Sequence, residues 1–524
     1  MPGRARAFDS EWLRPHPLST GTGPVTQDSA QPDDHDDGPE TQERPWLSDE
    51  ERAALRKPLP ERAVVASLAF TGLVAAFMMT LVTPLVPSLP TILGVHASDS
   101  MWVVTATLLS AAVATPISGR LGDLYGKRRM VLILLGIMMA GSVLAAFSST
   151  IVPLIVARAL QGMAMGVIPL GISILRDVLH AKRLGPAVAL VSATLGIGGA
   201  VGLPISAVIS QFLDWHVLFW VAGALGLVGF LLVARFVPVS TLRSEGGFDW
   251  IGAIGLAAGL VPILLAVSKG NEWGWTSVGT LACLIGGVVV LLLWGWFEVR
   301  SSSPLVDLRI AARRTVLFTN LASITVGFAF FGSTVVLPGI LEAPVGTGVG
   351  LGQDMLIASL CLMPSGLIMW AMSPVAARLT AAKGARLSLL IGIAIIAIGY
   401  AVAIGLMTEV WHTVLTATAV GFGVGFAYAA MPTLIMGAVP PSETAASNGL
   451  NSVMRTLGST IASAVIGAIL ASQVVADGAV TTPSADAFRL SFAICAAAAV
   501  VGLVCTLLLP KHLAKDTRSS LHEG

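Results

Sequence analysis

Long apolar segments recur along most of the chain, and they constrain its fold more than any other feature. A helix that crosses a hydrocarbon core of about 30 Å needs about 20 mostly apolar residues. Fourteen stretches between Arg62 and Pro510 meet this requirement. The expected spans are 63–86, 99–118, 130–148, 151–175, 186–210, 216–237, 250–268, 277–297, 315–341, 354–376, 387–407, 411–438, 448–472 and 487–509. The sequence therefore predicts an all-α, multi-pass membrane protein with fourteen transmembrane helices.

The two ends of the chain differ from this membrane domain. Residues 1–61 contain the acidic, Pro-rich stretch QPDDHDDGPETQERP and no periodic apolar pattern. Such a composition buries too little apolar surface to order a chain, so we expect a disordered tail. Residues 511–524 are expected to form a second, short tail. With an even number of spans, both tails lie on the same side of the membrane.

Basic residues are concentrated in the loops that follow even-numbered spans. The loop after the second span, for example, holds Arg120, Lys127 and Arg128, whereas the loops after odd-numbered spans hold few cations. By the positive-inside rule, both termini are expected to be cytoplasmic in a protein of the plasma membrane. Membrane topology and contact with anionic lipid account for this charge, so we expect no nucleic-acid partner.

An internal repeat divides the membrane domain. Five residues around the end of the second span recur with the same spacing at the end of the tenth, Pro116, Arg120, Leu121, Gly126 and Arg128 matching Pro374, Arg378, Leu379, Gly384 and Arg386. Two shorter matches keep the same order: LPTIL at 89–93 with LPGIL at 337–341, and VxxTLG at 191–196 and at 453–458.

The repeat relates spans 1, 2 and 5 to spans 9, 10 and 13. It predicts six-helix bundles at 62–237 and 315–510, with a linker at 238–314 that carries two helices and merely joins the bundles. Two such halves, related by an axis along the membrane normal, are typical of transporters that hold substrate between the halves.

The stretch GRLGDLYGKRR, Gly119–Arg129, is expected to be a tight loop between spans 2 and 3. Gly119 and Gly126 permit a sharp turn and close approach of backbones. Asp123 can accept hydrogen bonds from a nearby helix N-terminus or pair with an arginine. The basic residues either fix the membrane topology and contact anionic lipid, or also take part in the interaction that Asp123 makes.

These residues resemble a known family. Gly119, Asp123, Gly126, Lys127 and Arg128 stand at the positions of the signature loop of the major facilitator superfamily. A second motif of that family is matched in the fourth span by Arg158, Gln161, Gly162 and Gly166. The fourteen-span layout resembles the drug:proton antiporter branch, which implies the major facilitator fold of two six-helix bundles and a two-helix linker hairpin.

The resemblance also implies roles for particular residues. Asp123 would latch the two halves while the transporter faces outward, and Ala381 stands at the matching position of the second copy. Arg158 would influence proton uptake or release. The helix-bending motif of the fifth span is matched by Gly198, Gly202 and Pro204, although Leu203 separates glycine from proline.

Two arginines lie within apolar spans, where an unpaired charge costs about 2.5–3.5 kcal/mol on insertion scales. Arg158 therefore either takes part in coupling or bonds backbone carbonyls as a structural residue. Arg455 either faces an interior cavity or extends its side chain to the cytoplasmic interface.

The first span departs from the drug-antiporter pattern, because Leu81 stands where those relatives commonly carry an aspartate. We hypothesise that Glu342 or Asp354 handles the proton, with Asp214 and His216 as further candidates. All four can instead be solvated loop residues.

The function predicted from these features is secondary active transport. The expected activity is proton-coupled export of amphipathic drugs, antibiotics or secondary metabolites by alternating access, and the alternative is a carrier specific for one metabolite. Gly122 and Gly126 are too close for a phosphate-binding loop, so we expect no use of ATP. We also expect a monomer with no enzymatic activity, no cofactor and no metal site.

Overall fold

The computed structural model describes residues 61–510, apart from 87, 240–243, 245, 302, 348–349 and 478–479. The disordered tails expected at 1–61 and 511–524 lie outside these residues, except that Glu61 begins the first helix.

Fourteen long apolar helices dominate the described chain, which confirms the predicted all-α, multi-pass class. In order, α1 to α14 are Glu61–Thr80, Trp102–Tyr125, Lys127–Ala146, Ile151–Val178, Ala181–Phe212, His216–Phe236, Trp250–Trp273, Val278–Glu298, Arg314–Glu342, Met355–Lys383, Ala385–Ala403, Val410–Met436, Thr444–Ser472 and Ala485–Leu507. A 3₁₀ turn at Ala164–Gly166 interrupts α4. Short helices lie at Leu89–Leu93, Ala97–Ser100 and Leu308–Ala311.

A small antiparallel hairpin, which the sequence did not predict, connects α13 to α14. Its strands are β1 (Val474–Asp477) and β2 (Val480–Pro483), with Val474 opposite Pro483.

The prediction of a loop at Gly119–Arg129 is wrong. Helix α2 continues through Asp123 to Tyr125, and α3 begins at Lys127, so Gly126 alone separates them. Its φ of 107° lies in a region that side chains disfavour, which explains how one residue reverses the chain. Gly384 plays the same part between α10 and α11 with a φ of 89°.

The helices pack as two six-helix bundles plus a hairpin. One apolar core is built mainly from buried residues between Val64 and Val237, and a second from residues between Ala322 and Leu509. Between the bundles, α2 packs on α13 and α10 packs on α5. These contacts are equivalent under the sequence repeat, since it matches α2 with α10 and α5 with α13.

The α7–α8 hairpin does more than join the bundles, contrary to the expectation from the sequence. Helix α7 packs on both α2 and α13. Leu260 and Leu264 of α7 share a buried cluster with Ala112 of the first bundle and Val453 of the second. The hairpin therefore covers one side of the contact between the halves.

Candidate functional site

The two bundles are fastened together at the end of the molecule where α2 ends and α13 begins. We call it the basic end, because Arg120, Lys127 and Arg176 lie there. The carboxylate of Asp123, in the last turn of α2, accepts a hydrogen bond of 3.0 Å from the backbone N–H of Ala446. Ala446 lies in the first turn of α13, where free N–H groups and the helix dipole favour an anion.

The Asp123 carboxylate is buried, and a cation lies beside it. Lys127 Nζ is 3.8 Å from Asp123 Oδ1 and 2.7 Å from Asp177 Oδ2 of α4. Lys127 has no exposed surface, so it does not contact lipid or serve topology alone. An uncompensated charge here would be costly, and the arrangement of one lysine between two carboxylates keeps Asp123 in place.

A second polar connection crosses between the bundles beside Asp123. Arg176, near the end of α4, donates to Thr444 Oγ1 at 2.5 Å and to the carbonyl of Val439 at 3.2 Å. Arg176 was not among the residues predicted from the sequence. The sequence feature that could have indicated it is the charged pair Arg176-Asp177 at the end of an apolar span, which resembles the charged end of α2.

The linker also binds both bundles. The backbone N–H of Ser244 donates to the carbonyl of Asp123 at 2.8 Å, and its hydroxyl donates to the carbonyl of Ser442 at 2.6 Å. Arg120, Ser244 and Glu443 line a polar cavity of about 500 Å³ at this end. Arg120 is therefore buried beside the linker and does not face lipid.

Glycine makes the backbone contact between the bundles possible. A Cβ added to Gly119 would lie 2.8 Å from the carbonyl oxygen of Ala445, and one added to Gly449 would lie 3.2 Å from that of Thr115. At the equivalent contact, a Cβ on Gly366 of α10 would lie 2.3 Å from the Gly196 carbonyl oxygen of α5. The two halves thus approach backbone to backbone on both sides.

The predicted helix-bending residues lie within α5, which runs unbroken from Ala181 to Phe212. A Cβ added to Gly198 would lie 2.6 Å from Ala76 Cβ, and one added to Gly202 would lie 2.3 Å from Thr80 Oγ1. These glycines therefore allow close packing of α5 on α1. Pro204 is buried in the same helix.

Arg158 is completely buried among acceptors of the first bundle. It donates to the carbonyl of Met78 and to Gln161 Oε1, both at 2.9 Å, and to the carbonyl of Val103 at 3.4 Å. Gln161 in turn donates to Ser142 Oγ at 2.9 Å. The geometry has the form expected for a structural arginine, and its role in coupling stays a prediction.

Arg455 faces the interior and does not extend to the interface. Its guanidinium carbon lies 4.7 Å from the centre of the Tyr428 ring, and Nη2 donates to Ser452 Oγ at 3.1 Å. A small cavity of about 10 Å³ lies beside it between α4, α5, α12 and α13. Its polar neighbours Asn448 and Asn451 were not predicted from the sequence, although asparagine within an apolar span could have indicated them.

The candidate proton-handling residues lie at the end opposite the basic end. Glu342 is the last residue of α9, and Asp354 precedes α10; both are exposed. Asp214 and His216 form a pair with Oδ1 and Nδ1 2.5 Å apart. Hydrogen bonds from the backbone N–H and the ring of His216 hold the pKa of Asp214 below its ordinary value.

Comparisons with known proteins agree with this architecture. The family model described as Major Facilitator Superfamily matches residues 68–463 and 320–523. An MFS-type transporter of Mycobacterium tuberculosis is 27% identical over 317 residues, covering 60% of this chain and 46% of the relative, so the match spans less than half of that relative's length.

Two further relatives carry resistance names. Multidrug resistance protein Stp of M. tuberculosis is 27% identical over 420 residues, covering 78% of this chain and 76% of that protein. Lincomycin resistance protein LmrB of Listeria monocytogenes is 24% identical over 468 residues, covering 87% and 97%.

Solved structures share the fold at low sequence identity. The human organic anion transporter MFSD10 has a TM-score of 0.62 at 15% identity and covers 86% of this chain and 100% of its own. The proton:xylose symporter XylE has a TM-score of 0.56 at 14% identity and covers 84% and 94%. Because the family model spans most of the sequence and the fold agrees, this chain belongs to the Major Facilitator Superfamily.

Proposed function

We propose that this protein exports amphipathic organic compounds, with antibiotics or toxic metabolites among them, in exchange for protons. The single observation that carries the proposal is the contact between Asp123 and Ala446, because it fastens two repeat-related bundles at one end of the membrane domain. A barrier at one end that can be released is what alternating access requires. Residues 62–237 and 315–510 act as the two moving bodies.

The orientation follows from charge. The basic end faces the cytoplasm by the positive-inside rule, so both termini are cytoplasmic and the closed gate is the cytoplasmic one. The protein then resides in the cell membrane with its substrate path closed to the cytoplasm. Since both bundles belong to one chain, we propose that it acts as a monomer.

The substrate class is supported by the resistance names of Stp and LmrB and by the apolar surroundings of the interior. Residues such as Ile172, Leu195 and Tyr428 line the small central cavity. Apolar and aromatic side chains suit ligands with an apolar body, and a few polar groups fix their orientation.

Proton exchange requires a titratable group that both sides reach in turn. Among the described residues, the spans carry no carboxylate away from their ends. Glu342 and Asp354 at the outer end therefore stay our candidates for the proton. Asp123 is assigned instead to the contact that closes the basic end.

The test is flux in proteoliposomes under an imposed pH gradient. The panel is a cationic dye (ethidium), a neutral antibiotic (chloramphenicol) and an aromatic carboxylate (6-hydroxy-2-naphthoate). We expect gradient-driven transport of more than one compound, abolished by a protonophore. Transport of a single compound would favour the specific carrier, and no gradient-driven flux of any would overturn the proposal.

A further inference from the structure

The centre of the molecule carries positive charge that the protein does not neutralise. Among the described residues, the charged side chains away from the span ends are Arg158 and Arg455, and no carboxylate accompanies them. Arg158 is buried and donates to three protein oxygens, so it is not available to a ligand. Arg455 differs, because it lies at the contact between the bundles.

Most of the hydrogen-bonding capacity of Arg455 is unused by the protein. A guanidinium has five N–H donors, and within the described part of the chain the Arg455 guanidinium makes one hydrogen bond, to Ser452 Oγ at 3.1 Å. The ring of Tyr428 covers one face of the guanidinium and holds its plane. Arg455 is half-buried, so its remaining N–H donors are accessible to a ligand. Such a fork matches a carboxylate with two parallel hydrogen bonds.

Two other polar groups line the same cavity. Ser192 Oγ of α5 and Asn448 Oδ1 of α13 are buried, and neither has a hydrogen-bond partner among the residues that the structure describes. The Asn448 amide nitrogen donates to the Thr444 carbonyl at 2.9 Å, which leaves its oxygen as the free acceptor. Buried polar groups are rarely left unsatisfied, so these atoms indicate a place for a polar ligand group or water.

The helix that carries Arg455 is held firmly. Asn451 Nδ2 donates to Asn320 Oδ1 at 2.9 Å and to Ser323 Oγ at 2.6 Å, which ties α13 to α9. A Cβ on Gly327 would lie 2.2 Å from the Arg455 carbonyl oxygen, so the two helices are in backbone contact there. A binding group on a rigid element loses little entropy when it binds.

We propose that Arg455 anchors the anionic group of the transported compound, and that the preferred substrates are amphipathic organic monoanions with a hydrogen-bond donor. This inference rests on the proposed export function. The anion pairs with the guanidinium, the ligand's donor reaches Asn448 Oδ1, and the apolar body lies against Ile172 and Leu195.

The repeat explains why one anionic group suffices. In the matched segments at 191–196 and 453–458, Arg455 corresponds to Ala193. The first bundle therefore offers no second cation at the equivalent place. The cavity of about 10 Å³ holds about one water, so the ligand is accommodated when the bundles separate.

The experiment compares two probes that share one ring system and one hydroxyl, 6-hydroxy-2-naphthoate with an anionic carboxylate and 6-hydroxy-2-naphthamide with a neutral amide in its place. Binding to the full-length purified protein is measured by probe fluorescence. We expect the carboxylate to bind about tenfold or more tightly than the amide, R455Q to remove this preference, and R455K to retain part of it because the charge remains. N448L should weaken binding of both probes.

The matched control is R300M. Arg300 also lies over an indole ring, with its guanidinium carbon 4.1 Å from the centre of Trp296, but it follows α8 at the exposed end of the linker hairpin. This variant should keep the full preference. If R455Q fails to fold, as judged by size-exclusion chromatography, a reduced but not abolished preference in R455K supplies the same test, and an undiminished preference in R455K would overturn the anion site.

Equal binding of the two probes, no binding of the carboxylate, or a preference that survives R455Q would overturn the anion site. These outcomes are separable from failure of the export function. Gradient-driven flux of ethidium or chloramphenicol without carboxylate preference refutes the anion site and leaves export standing. A carboxylate preference that depends on Arg455, without gradient-driven flux of any compound, supports the anion site and refutes the export function.

Discussion

The carboxylate of Asp123 accepts a 3.0 Å hydrogen bond from the backbone amide of Ala446, although the two residues are 323 positions apart in the chain. The bond joins the end of one helix of the first bundle to the start of a helix of the second. It has no counterpart in the second copy of the repeat, since Ala381 has no group to offer. The gate at the basic end is therefore asymmetric.

Asp123→Asn should weaken this gate without preventing membrane insertion. The amide keeps the size of the side chain but loses the charge, and charge-assisted hydrogen bonds are about twice as strong as neutral ones. A loss on the order of 1 kcal/mol would lower the ratio of closed to open molecules about fivefold. We expect reduced export and longer spin-label distances between R129C and A312C, both exposed at the basic end.

Asp99→Asn is the control, because Asp99 precedes α2 at the opposite end. Unchanged distances and normal export in Asp123→Asn would show that Asp123 is not a latch.

Gly119→Val should block closure sterically. Its Cβ would lie 2.8 Å from the Ala445 carbonyl oxygen, and neighbouring backbone atoms cannot move aside without separating α2 from α13. Maleimide labelling of N448C from the basic side should become faster, and export should fall at least tenfold. Gly136→Val in α3 is the matched control, since nothing lies within 4 Å of its added Cβ. Equal labelling in the two variants would contradict the close-contact role.

The double variant E342Q/D354N should uncouple transport from protons if these outer-end carboxylates carry them. We expect substrate-driven proton movement in proteoliposomes to fall to the background of empty vesicles, while probe binding persists. D486N serves as the control, because Asp486 is an exposed carboxylate at the same end and pairs with Arg489 at 3.1 Å. Normal coupling in the double variant would exclude both residues.

Asp214 should contribute a small pH-dependent stabilisation. Hydrogen bonds from His216 lower the pKa of the folded carboxyl, so the ionised form is favoured by folding. The contribution is present above the ordinary aspartate pKa of about 4 and is lost as pH falls through the lower folded value. The Tm difference between the native protein and D214N should be constant above about pH 5 and shrink below about pH 4. A difference that stays the same down to pH 3 would refute this linkage.

The apolar runs were sufficient to predict all fourteen helices, because a bilayer imposes one length and one composition on every span. Span ends were less predictable. The charged residues Arg120 and Asp123 suggested a loop, yet they continue α2. Asp123 bonds Ala446 and Arg120 is buried beside the linker, an environment that only the folded protein supplies. The two contacts between the bundles, α2 with α13 and α10 with α5, are the pair that the repeat relates to each other.

What the sequence determined by itself is the class of protein, the repeat and the asymmetry of charge, since hydropathy, spacing and sign are properties of the chain read in order. The tertiary structure alone decided that Lys127 lies between two carboxylates, that Ser244 and Arg176 cross between the bundles, and that Arg455 turns inward to Tyr428. Those contacts join residues far apart in the chain, and their distances depend on how whole helices pack.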